Sequence, residues 1–277
     1  MIKFALAAAF IALPVAALAE NSPYLPIPGA GQVSVGYTNQ SGDDFWVGST
    51  KMTLPAKIKF NNLSVGAQYG LTDSLALDGS LTYTSSRFGV AAGASTGNES
   101  ALSDSTVGIK WRLVDEFETI GAPTVSLRAG AIIKGNYATG KIDAINDGAS
   151  GVEVSAIIGK YLIPAFSISA ELGYRQRGNT VPKDTFGSID ANYSFNSVVS
   201  ASVGFSSVRA NGNLDIGGPG FSPARFQEVK EERDLVHAGV NFNLLPGTSL
   251  SLNYGKVTAG RNTIKADVIG VAVTQAF

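Results

Sequence analysis

Asp267-Val-Ile-Gly-Val-Ala-Val-Thr-Gln-Ala-Phe277 is the stretch that decides the fold. Large apolar side chains recur at alternate positions, at Ile269, Val271 and Val273, and mostly small or polar side chains fall between them. This two-residue period is that of a β-strand with two unlike faces. A strand that ends on an aromatic residue is typical of the last strand of an outer-membrane β-barrel. The alternative is a water-soluble β-protein that ends in Phe277.

The first residues have the pattern of a secretory signal peptide. A lysine at position 3 precedes an apolar run over residues 4–16, and Ala17-Leu-Ala19 forms a small-x-small cleavage site. We therefore expect a signal peptide over residues 1–19 and a mature chain that begins at Glu20. The apolar run is shorter than the roughly 20 residues that a membrane-spanning helix needs, and no later stretch approaches that length.

Composition excludes several classes of function. The chain has no Cys, one His and a formal net charge of -1, so it offers no thiol chemistry, no Cys-based metal site and no basic surface for nucleic acid. Its 32 Gly residues and its charged fraction of 16% favour closely packed strands with one face toward lipid. We find no linker, and we expect one β-domain over residues 31–277.

Residues 20–30 contain three prolines and precede the first alternating segment. Proline favours extended backbone and cannot donate to a strand ladder, so we expect an extended, unpaired leader on the periplasmic side. The alternative is a small plug in the barrel.

About twelve alternating segments follow the leader. They cover residues 31–40, 57–70, 75–85, 104–114, 124–134, 151–161, 166–177, 184–195, 198–208, 234–244, 249–257 and 263–277. Ile157 and Ile158 are adjacent, and they indicate a bulge in the sixth segment. The pattern predicts an all-β fold, a transmembrane antiparallel up-and-down β-barrel of about 12 strands.

The connections alternate in length. Tight turns lie at 72–74, 163–165, 196–197 and 245–248, and the connection at 115–123 is only somewhat longer. The other connections are long or Gly-rich at 41–55, 86–103, 135–150 and 209–233, with shorter members at 178–183 and 258–262. Outer-membrane barrels have short periplasmic turns and longer external loops, so this alternation sets the predicted orientation. In that orientation the aromatic residues of the apolar face fall into two belts, one at each membrane interface.

The opposite face of the segments predicts a polar lumen. Its candidate constriction residues are Asp78, Lys110, Arg112, Arg128, Lys134, Glu153, Glu171, Arg175, Asp190 and His237, with Asn241 beside them. Reversing the fourth segment would place Lys110 and Arg112 in lipid, at about 2 to 4 kcal/mol each near the midplane, which fixes its phase. Two interpretations stay open. These charges either pair and stabilise the wall or line a path for solutes.

The sequence gives little support for a catalytic site or a metal site. His237 is the sole candidate for a Ser–His pair, with Ser202 or Ser251 as its partner, and a polar lining residue is the simpler interpretation. The acidic residues at 43–44 and 143–147 lack the ligand spacing of a Ca²⁺ loop. Residues 217–223 lack a strand-to-helix phosphate pattern, and we expect a surface loop there. The sequence predicts no enzyme, no metal and no cofactor.

The hairpin Tyr69-Gly-Leu-Thr-Asp-Ser-Leu-Ala-Leu77, followed by Asp78-Gly-Ser-Leu-Thr-Tyr83, resembles the periplasmic turn of a family of outer-membrane transporter-like barrels associated with the MetA pathway of phenol degradation. The resemblance implies passage of small, aromatic or hydrophobic molecules. No family motif for substrate contact can be placed on individual residues of this chain.

The sequence therefore predicts an outer-membrane channel or transporter for passive passage of small molecules. Its expected partners are outer-membrane lipid and a small solute, without nucleic acid. The alternative is a structural or surface-binding protein that acts through its loops, chiefly 86–103 and 209–233. A lipid-modifying enzyme would require His237. An autotransporter is not expected, because the first segment follows the leader directly.

Overall fold

The computed structural model describes residues 22–89, 97–140 and 142–277, so the predicted signal peptide lies outside the described residues. Its elements are β1 (Gly31–Val47), β2 (Thr50–Thr72), β3 (Leu75–Phe88), β4 (Gly97–Leu102), β5 (Ser105–Val114), β6 (Thr124–Ile133), β7 (Gly151–Ile163), β8 (Phe166–Arg177), β9 (Lys183–Ser194), β10 (Val199–Asn211), the 3₁₀ helix Pro223–Glu228, β11 (Glu232–Leu245), β12 (Thr248–Arg261) and β13 (Ile264–Ala276). The described residues include no helix that is long and apolar enough to span a membrane.

The strands form one closed antiparallel ring. Strands that follow one another along the chain pair as neighbours, with the exception of β4 and β5, and the pairing of β1 with β13 closes the ring. Both β4 and β5 pair with β3, one beside each half of it, so they are two parts of one barrel strand interrupted at Ser103 and Asp104. The predicted up-and-down barrel of 12 strands is confirmed.

The outer surface of the ring is apolar, as the alternation predicts. On β13, Ile269, Val271 and Val273 are 61%, 40% and 45% exposed, whereas Val268 and Ala272 on the opposite face of the strand are buried. The outward aromatic residues lie in two belts near the ends of the strands. They are Tyr69, Trp111, Tyr193 and Phe277 toward the predicted periplasmic end, and Tyr37, Tyr83, Tyr174, Phe205 and Tyr254 toward the opposite, external end.

Several strands extend farther at the external end than predicted. The predicted loop 41–55 is a two-residue turn at Gly48 and Ser49 between β1 and β2, and the predicted loop 258–262 shrinks to a turn between β12 and β13. β3 and β4 extend into the predicted loop 86–103. The predicted alternation of short and long connections is therefore wrong for the first and last external hairpins. These hairpins continue because their inward side chains, such as Phe45 and Ile264, gain an apolar interior to pack in.

The predicted bulge in β7 is also wrong. The pairing of β7 with β6 and β8 runs without a shift through Ile157 and Ile158, and the register changes only between Tyr161 and Ile163. Ile157 points inward and is fully buried, while Ile158 lies on the outer face at 46% exposure. The two adjacent isoleucines therefore belong to a regular strand, with one on the inner face and one on the outer face.

Part of the inside of the barrel is apolar at the external end. We call this region the external core, and it comprises Phe45, Trp46, Leu54, Ile58, Phe60, Phe88, Ile142, Ala144, Leu214, Ile216, Phe226, Val229, Leu235, Val257, Ile264, Ala266 and Val268. Residues 134–150 and 212–231, which the sequence places in surface loops, contribute Ile142, Leu214 and Phe226 to it. The polar lining that the sequence predicts is therefore interrupted by an apolar region at the external end.

Candidate functional site

Charged side chains of β3 to β9 form one connected network inside the barrel, which we call the charged wall. Arg128 on β6 contacts Asp78 on β3 at 2.6 Å and Glu153 on β7 at 2.6 Å. Glu153 also accepts from Arg175 on β8 at 3.1 Å, and Arg175 lies 3.7 Å from Asp184 on β9. The network follows the inner surface from strand to strand, as the interpretation of mutual pairing expects.

Some of these contacts join residues of two strands that are separated by a third strand. A glycine in the middle strand leaves room for the two side chains to meet. Asp78 and Arg128 are separated by β5, where Gly108 faces inward, and a Cβ at Gly108 would lie 2.9 Å from an atom of each. Gly204 on β10 separates Asp190 on β9 from His237 on β11, whose Nε2 is 3.4 Å from Asp190 Oδ1. Because glycine has no side chain, the charged groups meet above the middle strand.

Two predicted lumen residues lie near strand ends, outside the charged wall. Arg112 is at the periplasmic end of β5, where it pairs with Asp115 at 2.8 Å and donates to the carbonyl of Asp73 at 2.7 Å. Lys134 follows the end of β6 and is exposed. Strand alternation predicts which face a residue is on, but these two residues lie where the strand ends and the period no longer applies.

Lys110 contacts the segment that precedes β1. We call residues 22–30 the N-terminal strap. The fully buried Lys110 donates from Nζ to the Ser22 carbonyl at 2.9 Å, and Ser126 donates to the Pro23 carbonyl at 2.7 Å. At its other end the strap pairs with Gly70 through two backbone hydrogen bonds, of 2.9 and 3.0 Å. The strap therefore crosses the periplasmic mouth from the end of β2 to the inner faces of β5 and β6.

An aromatic cluster fixes the middle of this crossing. The Tyr24 ring packs against Phe117 and Tyr161, with centroids 6.2 and 5.5 Å away, and its hydroxyl donates to Glu116. Burial, and then this hydrogen bond, raise the pKa of the Tyr24 hydroxyl above its ordinary value. Tyr24 therefore stays a neutral donor throughout the physiological range.

The remaining strands, β10 to β13 together with β1 and β2, form an uncharged polar surface that we call the neutral wall. In the described part of the chain, its inward side chains between the two aromatic belts are small residues, hydroxyls and amides, apart from His237. The polar members are Gln32, Ser34, Thr38, Asn62, Ser64, Gln68, Ser200, Ser202, Asn241, Ser249, Ser251, Asn253 and Thr274. Several bond to one another, for example Ser251 to Asn241 at 2.7 Å. The lumen thus has two sides of different charge character.

A second ionic cluster holds the external loops inside the barrel. Arg177 pairs with Asp147 of the loop 134–150, and it also pairs with Asp184 of β9 at 2.9 Å. Thr263 donates a hydrogen bond to Glu231 of the loop 212–231 at 2.8 Å. Burial raises the pKa of Glu231 to about 8, and it also raises the pKa of Asp147, although Arg177 opposes that shift.

The sequence interpretation missed this cluster. Arg177 and Asp184 could have been predicted from the sequence, because alternation along β8 and β9 places both on the inward face, as it does Arg175. Asp147 and Glu231 lie in irregular segments, where no period indicates which residues turn inward.

A cavity of about 470 Å³, which we call the vestibule, lies between the strap and the neutral wall. Its lining includes Tyr24 and Ile27 from the strap and Gln68, Asn241 and Ser251 from the wall. The Gln68 side chain is 3% exposed, and its Nε2 has no hydrogen-bond partner among the described residues.

Two of the candidate catalytic residues, His237 and Ser251, have other partners. His237 contacts Asp190, and Ser251 donates instead to Asn241, so these residues do not make a Ser–His pair. Within residues 22–89, 97–140 and 142–277, no three His, Cys, Asp or Glu side chains are grouped to hold a metal.

The fold is similar to solved outer-membrane barrels. An outer-membrane channel from Pseudomonas putida F1 is 17% identical, with a TM-score of 0.74 over 92% of this chain and 97% of that chain. The translocator domain of autotransporter NalP from Neisseria meningitidis is 12% identical, with a TM-score of 0.53 over 94% of both chains. The KdgM porin is 8% identical, with a TM-score of 0.52 over 88% of this chain and 99% of that chain. At these identities the likeness concerns the fold.

Sequence comparison provides the family. No curated protein sequence matches this chain significantly. The model of the family described as "Putative MetA-pathway of phenol degradation" matches residues 39–272, from the middle of β1 to the middle of β13. The match extends far beyond the hairpin at 69–83 on which the resemblance was based. The chain therefore belongs to this family.

Proposed function

We propose that this protein is a channel of the outer membrane that passes small molecules passively. The observation that carries the proposal is a closed ring of strands with an apolar outer belt, a polar inner surface and a cavity at one mouth. An apolar belt that surrounds the whole ring matches the hydrocarbon layer of a membrane. Family membership and the similarity to outer-membrane barrels support the same assignment.

The two walls favour a route along the neutral side. Charges of the charged wall are engaged with one another, so a solute on that side would have to compete with ion pairs that already exist. The neutral wall offers hydroxyls and amides instead. At the external end, the aromatic side chains Phe45, Phe60 and Phe88 give an apolar environment, which suits entry of an aromatic or hydrophobic molecule.

In this proposal the infolded loops 134–150 and 212–231 are the external gate. They occupy the external end of the barrel and are held there by Arg177, Thr263 and the external core. Passage requires that they move outward. The alternative function is surface binding chiefly through loops 86–103 and 209–233. It has less support because apolar side chains of these segments, such as Phe88, Leu214 and Phe226, point into the barrel.

Conductance across planar bilayers tests the proposal. Purified protein is expected to produce discrete current steps, and a sample unfolded by boiling is expected to produce none. Persistent absence of steps over a range of voltages would contradict channel function.

A substitution at Arg177 tests whether the infolded loops are the gate. Arg177→Ala removes the ion pairs with Asp147 and Asp184, so the open fraction of the channel is expected to rise severalfold. Arg209→Ala is the matched control, because it removes an exposed pair with Asp234 on the outside of the barrel. Equal open fractions in both variants would show that the infolded loops are not the gate.

A further inference from the structure

Lys59 on β2 and Arg87 on β3 lie directly opposite each other, and we call them the basic pair. The residues before and after each of them are buried on the inner face, so alternation directs both basic side chains outward, where both are exposed. Directly opposed residues of neighbouring strands have Cβ atoms about 5 Å apart, and like charges at that separation destabilise a sheet. An anion bound between the two cations would remove this repulsion.

The basic pair has no carboxylate partner. Neither of its side chains forms an ion pair or a side-chain hydrogen bond with another residue of the described ranges 22–89, 97–140 and 142–277. Other outward-facing basic residues at the external end are neutralised, because Lys51 lies 3.1 Å from Asp44 and Lys256 lies 3.1 Å from Asp267. The basic pair is therefore an uncompensated positive patch on the outer surface.

The adjacent strands extend the basic pair with neutral donors. Ser41 on β1 lies opposite Lys59, and Asn98 on β4 lies opposite Arg87. These four residues form one row across four strands, which we call the donor row, and each of its side chains can donate a hydrogen bond. On β1, Asp43 lies beyond the row, at a bulge on the side away from the membrane centre. Phosphate oxygens suit such a row, because they accept several hydrogen bonds from cationic and neutral donors together.

The depth of the donor row identifies the source of the phosphate. The hydroxyl of Tyr37, a residue of the external aromatic belt, donates to Asn61 on β2 at 2.9 Å. Lys59 is two residues beyond Asn61, about 7 Å along the strand. The hydrocarbon core of a bilayer is about 30 Å thick and the whole bilayer about 40 to 45 Å, so each headgroup layer is about 5 to 7 Å deep. The donor row therefore lies at the level of the lipid headgroups of the outer leaflet.

We infer that the donor row is a binding site for a phosphate group of lipopolysaccharide, the phosphorylated glycolipid of the outer leaflet. The phosphate lies between Lys59 and Arg87 and accepts hydrogen bonds from both. Acyl chains of the same lipid cover the apolar surface below, at the opposed residues Leu63 and Tyr83. The inference concerns the outer surface of the barrel and does not depend on passage of solutes through the lumen.

Binding of defined lipids to the full protein in detergent tests the site. The probe is lipid A with two phosphate groups, and the comparison lipid is the same molecule after removal of both phosphates. Native mass spectrometry is expected to show that the phosphorylated lipid binds about tenfold more tightly, which corresponds to two exposed charge contacts. Equal binding of the two lipids would overturn the inference.

Inorganic phosphate separates the lipid from the free anion. At the concentration of the lipid A probe it is expected to leave the lipid bound, because it has no acyl chains that pack on the apolar belt. Displacement of the lipid at that concentration would assign the donor row to a free anion and overturn the lipid assignment.

Substitutions in the basic pair locate the site. Lys59→Gln with Arg87→Gln is expected to weaken lipid A binding about tenfold. Lys51→Gln with Lys256→Gln is the matched control, because it removes the same charge from the outer face of the same end, and it is expected to change binding about twofold or less. An equal loss in both would show that net charge attracts the lipid. Lys59→Arg with Arg87→Lys keeps both charges and is expected to retain most of the affinity, and a loss as large as that of the neutral variant would contradict recognition by charge.

Thermal stability distinguishes lipid binding from a role in folding. In detergent free of lipopolysaccharide, the variant Lys59→Gln with Arg87→Gln is expected to be at least as stable as the unmodified protein, because it relieves a repulsion. Added lipid A is expected to raise the unfolding temperature of the unmodified protein, measured by gel mobility after heating, and to leave that of the variant unchanged. A variant that is less stable without lipid, or that gains equal stability from lipid A, would overturn the inference.

Discussion

Arg128 is the residue on which the charged wall depends. Its guanidinium contacts Asp78 and Glu153, and the side chains of all three residues are less than 10% exposed. Removing one partner of a buried ion pair leaves an uncompensated charge, which is more costly than never having had the pair. Arg128 therefore stabilises the wall mainly by neutralising the two carboxylates beside it.

Arg128→Met is expected to lower the free energy of unfolding by about 3 to 5 kcal/mol, because Asp78 and Glu153 lose their shared cation. Urea titration followed by gel mobility without boiling measures the change. Arg209→Met, which breaks an exposed pair with Asp234, is the control and is expected to cost at most about 1 kcal/mol.

A second variant separates charge from packing. The double variant Asp78→Asn with Arg128→Met is expected to recover part of the loss, since position 78 is then neutral and Glu153 keeps its ion pair with Arg175. A double variant that is less stable than Arg128→Met would contradict this account of the wall.

At the scale of elements, the external loops are held by groups whose ionisation changes with pH. Burial raises the pKa of Glu231 to about 8, so the folded protein keeps this carboxyl protonated where the unfolded chain, near its ordinary value of 4.5, does not. The stabilisation is complete below the unfolded pKa and is lost as the pH rises through the folded pKa. Asp147 shifts in the same direction.

The infolded position of the loop 212–231 is therefore expected to weaken as the pH rises from about 4.5 to about 8. Trp46 belongs to the external core beside this loop, and its fluorescence reports the change. Glu231→Gln keeps the group neutral and is expected to remove most of the pH dependence. If the variant retains the full response of the unmodified protein, Glu231 is not the group that titrates.

At the scale of the whole molecule, the barrel requires lipid on one face and a polar interior on the other. Val271→Arg places a charge in the outer belt of β13 and is expected to cost about 2 to 4 kcal/mol of folding free energy in lipid. Thr274→Arg places the same charge on the inner face of that strand and is expected to cost much less. Equal costs in bilayers would contradict the assignment of faces.

The described fold was largely predictable from sequence because every strand of a β-barrel follows one rule, the alternation of outward and inward side chains. Alternation in segments such as 166–177 predicted the strand, its boundaries and its faces, and it placed Arg128 and Glu153 inside together. Lys134 was misplaced because the rule ends where its strand ends.

The external end was not predictable in the same way. Phe45 and Phe226 are far apart in sequence and meet only after two irregular loops fold inward. Periodicity describes a strand and its two faces, whereas such a core depends on loop geometry.

The external core also has a calorimetric consequence. Where detergent also covers the unfolded chain, residues of the outer belt change their contact with water little. Phe45, Ile58 and Leu235 are instead sealed from both water and detergent by neighbouring side chains. Because exposing apolar surface to water raises heat capacity, most of the heat-capacity increment of unfolding should come from this end of the barrel.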